Sequence, residues 1–270
     1  MRQIDRDARC SKLIEEIRCK SAQTLILGTV PVDNPVRKRG QTAASGTLLM
    51  PRIHKTVPFG SAVERDFLLT CRLDHPIVDI VSQPFSILYS HEGGPVRRYT
   101  PDFLIQRDLS IRPSQFSTGE GEHEWLIVEV KRVQDFLRSD KKDIIRLGAM
   151  NAWTAEAPNR ASTFAFDTMF DSPLGQRLKY FGRLSSEPED TLARKIPNLI
   201  KSGRCKTIRE IEAVLTELGN TQSQARRSLH IAIARGWLGY SAVRLPIPTD
   251  IVECWHEVDR LQSKDGKTQR

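Results

Sequence analysis

The chain has 270 residues, 39% hydrophobic, 27% charged and 7% aromatic, with a mean hydropathy of −0.40, the make-up of a soluble globular protein of one large or two modest domains and not of a disordered chain. No apolar run reaches the roughly 18 residues of a membrane span, and the N-terminal MRQIDRDARCSKL puts charges where a signal peptide carries its apolar core, so a cytoplasmic protein is expected. Lys and Arg total 41 against 33 Asp and Glu, giving +8 and a pI near 9.4, which points to a polyanionic partner, nucleic acid first.

In chain order, Ile4, Ala8, Leu13, Ile14 and Ile17 recur at helical spacings and predict a short amphipathic helix. From Val30 to Phe59 the chain carries Pro31, Pro35, Pro51 and Pro58, Gly40 and Gly46, and the run Arg37-Lys38-Arg39. Neither a long helix nor a paired strand is expected there; the stretch reads as an extended basic arm tracking phosphates, or as a solvated linker. Residues 1–49 are therefore expected to form a helix and arm outside the first domain.

Ser61 can cap a helix carrying Val63, Phe67, Leu68, Cys71 and Leu73, with Glu64 in its first turns. VDIVSQPFSILY (78–89), the turn HEGGP and RRYTPDFLI (97–105) read as a hairpin. HEWLIVEVKRV (123–133) reads as a central strand covered on both faces. A helix starting near Ser139 or Asp140 runs through Trp153, and STFAFD (162–167) adds a short strand. Residues 50–184 are thus expected to be one α/β domain, a mixed sheet flanked by helices.

The polar SSEPEDT connector (185–191) marks a domain boundary. Beyond it, Thr207 with Glu210 and Thr221 with Gln224 each form a capping box before a helical repeat. WLGY and SAVRLPI then read as a hairpin, so residues 190–250 outline a winged-helix-like domain, with 251–270 as a tail.

Chemistry concentrates in the middle of the chain. Glu129 and Lys131, two residues apart on the expected strand, point to one face while Val128 and Val130 pack on the other. Burying a carboxylate and an ammonium in so apolar a strand is costly without partners. Asp102, after Pro101 on a neighbouring strand, would supply one. Asp102, Glu129 and the Val130 carbonyl make an all-oxygen site suited to Mg²⁺, with Mn²⁺ as substitute. Lys131 could then orient an attacking water, and the reaction implied is hydrolysis of a nucleic-acid backbone. The alternative is a structural Glu129–Lys131 ion pair with Asp102 as a turn residue. Read alone, Glu64 complements its helix dipole. Arg97 and Arg98 flank the Asp102 strand and could meet phosphates. The five cysteines (Cys10, Cys19, Cys71, Cys205 and Cys254) and six histidines show no metal-ligand or thiol-catalysis spacing.

The order Glu64, Pro101-Asp102, Glu129-x-Lys131 resembles the PD-(D/E)xK nucleases, whose fold is that of restriction endonucleases. The surrounding AVERDFLL, VDIVSQPFSILY, RRYTPDFLI and LIVEVK are similar to the TnsA endonuclease subunits of heteromeric cut-and-paste transposons. The likeness covers roughly residues 50–135, with the C-terminal domain alike mainly in architecture. It implies a Mg²⁺-dependent endonuclease that cuts DNA at the 5′ ends of the transposon, beside a TnsB-like DDE transposase and a TnsC-like AAA+ ATPase. Asp102 and Glu129 would bind metal, Lys131 would assist the water, and Glu64 would add a further acidic group. Gln83 matches a recurrent position of that family, without a catalytic role assigned. Arg226, Arg227 and His230 fall on the helix that a winged helix inserts into the major groove, although in that family the region also serves contacts with the other transposition subunits. A stand-alone restriction or resolvase-type nuclease and a non-catalytic DNA-binding assembly module remain the alternatives.

Overall fold

A computed structural model describes residues 3–32, 45–50, 53–72, 77–108, 123–185, 190–235, 237–239 and 253–254. Helix α1 (Gln3–Ser21) has Asp5 in its first turn and Arg18 and Lys20 in its last, a charge order that complements the helix dipole. Strand β1 (Thr24–Pro31) follows, alternating half-buried and exposed positions. Then β2 (Gly46–Met50) and β3 (Lys55–Phe59) form an antiparallel hairpin with Leu48 opposite Val57.

These strands correct the expectation of an arm without paired strands. Pro31 ends β1 opposite Phe85, and Pro58 lies opposite Thr47 in a two-stranded ribbon, an edge setting where a missing N–H is tolerated. Arg37, Lys38 and Arg39 lie outside the described residues. Nor does the N-terminal segment stand apart: α1 buries Ile17 fully in the main core.

Ser61 caps α2 (Ala62–Cys71), its hydroxyl oxygen accepting from the Glu64 N–H. The strand expected at 78–89 is broken in two, β4 (Ile77–Ser82) and β5 (Phe85–His91), because Gln83 adopts φ 46. A non-glycine residue in the left-handed region turns the chain out of one sheet and into another. Next come β6 (Arg97–Tyr99), β7 (Phe103–Asp108) and β8 (His123–Lys131). After β8 lie α3 (Val133–Phe136), α4 (Lys141–Ala155) capped by Asp140, and β9 (Arg160–Phe166).

The strands form a mixed sheet in the order β4-β7-β8-β9, antiparallel except for the parallel β8/β9 pair, and an antiparallel sheet β1-β5-β6. Strand β8 is central, as its continuous apolar run implies. On one side of it Val128 and Val130 pack with Phe67 and Leu68 of α2 and with Phe103. On the other, Ile127 joins Leu147 and Met150 of α4, Ile17 of α1, and Ile87 and Tyr99 of the second sheet. Each such fully buried side chain contributes about 1.5–3 kcal/mol. Gly148 lets α4 approach α1 closely: a Cβ there would lie 3.2 Å from the Ser21 nitrogen.

The chain continues through α5 (Asp167–Asp171), α6 (Pro173–Leu184), α7 (Thr191–Lys201), α8 (Ile208–Glu217) and α9 (Gln222–Ala234). Both capping boxes form as their sequences require. Ile196, Ile208, Ile211, Leu215 and Leu229 make a second core, which Phe181 of α6 enters. Strand β10 (Leu238–Gly239) pairs with β11 (Glu253–Cys254), so its partner comes from the stretch expected as a tail; 241–247, expected to complete a wing, lies outside the described residues. The architecture is mixed α/β, with sheets flanked by helices. No helix among the described residues is long and apolar enough to cross a membrane.

Candidate active site

Antiparallel pairing of β7 with β8 sets Phe103 opposite Val128, which brings Asp102, one residue before β7, level with the end of β8. The Val130 N–H donates to Asp102 Oδ2 at 2.7 Å. The Asp102 carbonyl in turn accepts the Gln83 N–H at 2.8 Å, so the left-handed Gln83 pins the turn that carries the carboxylate. Backbone held in a sparsely populated region beside converging carboxylates is characteristic of functional sites.

Glu129 and Lys131 share a face of β8, as strand alternation dictates, with Lys131 Nζ 3.1 Å from Glu129 Oε1. The other carboxylate oxygen, Oε2, accepts the Tyr99 hydroxyl at 2.7 Å. Glu129 is 4% exposed and Tyr99 1%, so these two partners offset the desolvation of a buried charge. Burial, then the charges of Glu129 and Asp102, pushes the Tyr99 hydroxyl well above the usual phenol range, which keeps it a donor.

Glu64 reaches the same place from α2. Its Oε2 accepts the Gly60 N–H at 2.7 Å and its Oε1 the Ser61 hydroxyl at 3.0 Å, closing a reciprocal cap. The capping role and the pocket-lining position are therefore both realised in one side chain.

Glu64, Asp102, Glu129, Val130 and Lys131, five residues singled out in the sequence, line a single pocket of about 340 Å³, joined by Gln83 and Arg146. The crowding of acids is felt at Asp102. Burial first, then the Glu129 charge and more weakly that of Glu64, raises its carboxyl well above the usual carboxylate range, opposed by the Val130 N–H and Lys131.

A divalent cation fits this donor set. Two neighbouring carboxylates, oxygen donors only, and room for water match a hard ion such as Mg²⁺ or Mn²⁺. Among the described residues no group of three or more His, Cys, Asp or Glu side chains is gathered to hold a metal; the cap keeps the Glu64 oxygens on Gly60 and Ser61. Asp102 and Glu129 would be the protein ligands, with backbone and water completing the shell, as is usual for Mg²⁺.

The proposed DNA-contacting residues are not drawn into this pocket. Arg97 and Arg98 are exposed on β6, opposite Tyr89 and Leu88. Arg226 is taken up by Glu212, with Nε to Oε1 at 2.8 Å and Nη2 to Oε2 at 3.2 Å, while Arg227 is exposed on the same helix. His230 packs edge-on against Tyr180 and Phe181, and burial, followed by Arg226, lowers its pKa.

Tyr99 and Arg146 escape a reading of the sequence. Tyr99 stands three residues before Asp102 in RRYTPD, where nothing local marks it as a donor to Glu129; Arg146 is one of many helix-surface cations by pattern. No protein-family model matches the chain, and no curated protein matches it.

Proposed function

We propose that this chain is a divalent-metal-dependent DNA endonuclease that hydrolyses phosphodiesters. The observation carrying the reading is the meeting of Asp102 and Glu129 from adjacent strands with Lys131 beside them, in a polar pocket. A structural ion pair accounts for Glu129 and Lys131 but not for a second acid, Asp102, set beside them, its carboxyl raised by burial and by the Glu129 charge.

Mg²⁺ or Mn²⁺ would supply positive charge to the phosphate and lower the pKa of water. Asp102 and Glu129 would hold it, as deprotonated carboxylates. The Tyr99 hydroxyl keeps Glu129 from rotating, and the Val130 N–H does the same for Asp102. The Lys131 ammonium orients the attacking water and stabilises charge developing on the phosphate. Glu64 closes the side of the pocket formed by α2.

The finer reading is a TnsA-like subunit cutting the 5′ strands at transposon ends, in company with a TnsB-like DDE transposase and a TnsC-like AAA+ ATPase. It is supported by the flanking motifs AVERDFLL, VDIVSQPFSILY and RRYTPDFLI, and the excess of basic residues suits a DNA partner. Nicking of DNA carrying the transposon ends, with Mg²⁺ or Mn²⁺ and the partner transposase, tests it. Asp102→Ala and Lys131→Ala are each expected to lower strand cleavage by at least about 100-fold, in the range of losing a charge-stabilising catalytic group. Variants that cut like wild type would refute the assignment. Sequence-specific cutting by the chain alone would select a stand-alone nuclease, and intact assembly without a 5′ cut would select a non-catalytic module.

A further inference from the structure

We propose that Arg146 is the phosphate-holding residue of this pocket, its guanidinium gripping a non-bridging oxygen of the nucleic-acid backbone; the inference rests on the nuclease reading above. Arg146 projects from α4, on the opposite side of the sheet from Glu64, and lines the pocket with Asp102, Glu129 and Lys131. Its guanidinium carbon is 5.9 Å from the centroid of the Tyr99 ring, the ring whose hydroxyl fixes Glu129.

Within the chain its bonding is incomplete. Nη2 lies 3.2 Å from Asp143 Oδ1 one turn earlier, a pair in which both side chains are more than a third exposed. Such exposed i,i+3 pairs contribute little and are readily exchanged. Nε is buried and has no hydrogen-bond partner among the described residues. Burying a cationic N–H without an acceptor is costly, and such groups in folded proteins call for a missing partner. A surface arginine paired with Asp143 and resting on Tyr99 accounts for Nη2 and for the ring contact, but leaves Nε unexplained.

Charge and shape identify the acceptor. The pocket holds three carboxylates, Glu64, Asp102 and Glu129, against two cations, Lys131 and Arg146. Lys131 pairs with Glu129 at 3.1 Å and serves the water. With a divalent cation on Asp102 and Glu129, the carboxylates, the ion and Lys131 balance, and Arg146 is left with one positive charge in excess. A phosphodiester carries one negative charge. Its tetrahedral oxygens suit the planar fork of a guanidinium better than a point-charge ammonium.

Calorimetric titration of the full chain with a 5′-phosphorylated thymidine dinucleotide in the presence of Ca²⁺, which seldom supports cleavage, tests this without turnover. Ca²⁺ affinity is measured separately without the dinucleotide. Arg146→Ala is expected to weaken dinucleotide binding roughly tenfold to hundredfold, the loss of a charge-assisted hydrogen bond, with Ca²⁺ affinity not reduced, since no metal ligand is lost and a positive charge is removed. Arg146→Lys, which keeps the charge and the stem but not the fork, falls between wild type and Arg146→Ala, and it carries the test should the alanine variant fail to fold. Unchanged dinucleotide binding in the two variants would overturn the role of Arg146 and leave the nuclease reading standing. A wild-type chain that binds neither Ca²⁺ nor the dinucleotide would overturn both.

Discussion

Asp102 retains its proton above the usual carboxylate range because burial and the neighbouring Glu129 charge disfavour ionisation. The folded chain then binds a proton that the unfolded chain releases. Stability from that proton is fully present below the unfolded pKa and is lost as pH rises through the folded one. In chelator at neutral pH, Asp102→Asn, with no proton to lose and an oxygen still able to accept the Val130 N–H, is expected to melt above wild type. The gap should close on acidification into the ordinary carboxylate range, and Mn²⁺, which needs the carboxylate, should reverse the order. Differential scanning across a pH series with and without Mn²⁺ reads all three. Tyr99→Phe leaves Glu129 Oε2 without its buried donor and is expected to cost about 1–3 kcal/mol in urea unfolding; equal stability would show that the bond contributes nothing. At this scale the sequence is informative where chemistry follows from local periodicity. The period of two along β8 places Glu129 and Lys131 together, and an acid on a neighbouring strand leads to Asp102. Tyr99 and Arg146 enter through tertiary packing, which local pattern does not encode.

Among the elements, α6 has a position with no room for change. Gly182 lies against the Leu69 backbone, so a Cβ would fall on the Leu69 carbonyl. Arg72 Nη1 donates to the Gly182 carbonyl at 2.6 Å and Nε to the Leu49 carbonyl at 2.9 Å, joining β2, α2 and α6; burial lowers its pKa to about 10. Gly182→Ala is expected to destabilise by about 1–3 kcal/mol or more through overpacking, measured as a fall in denaturation midpoint. Elements declared by local signals are the legible ones: the apolar run of β8, the Ser61 and Asp140 caps, and the boxes at Thr207 and Thr221. The β2/β3 hairpin is masked by its prolines, whose tolerance depends on an edge position known only after folding. Pro197 masks α7 in the same way. There Asp190 compensates, its side chain accepting from the Leu192 and Ala193 N–H groups and from the Ser228 hydroxyl of α9. The break at Gln83 is the least legible, because a glutamine gives no warning of positive φ.

For the whole molecule, the N-terminal helix belongs to the fold. Removing residues 1–21 would uncover the α4 face that Ile17 covers, along with the close approach at Gly148. The shortened chain is expected to lose cooperative melting or to aggregate, as followed by calorimetry and size-exclusion chromatography. Melting like the full chain would restore the expectation of a separable arm. Helix α6 is the feature with the widest reach. Its Phe181 sits in the core of the C-terminal helices, while the next residue, Gly182, is locked to α2, which carries Glu64. Lys179 of the same helix is 3.1 Å from Asp66 of α2. Helix α6 thus ties the C-terminal core to the helix that carries Glu64, and on the proposed nuclease reading a partner that grips those helices would also bear on how the acidic pocket meets DNA.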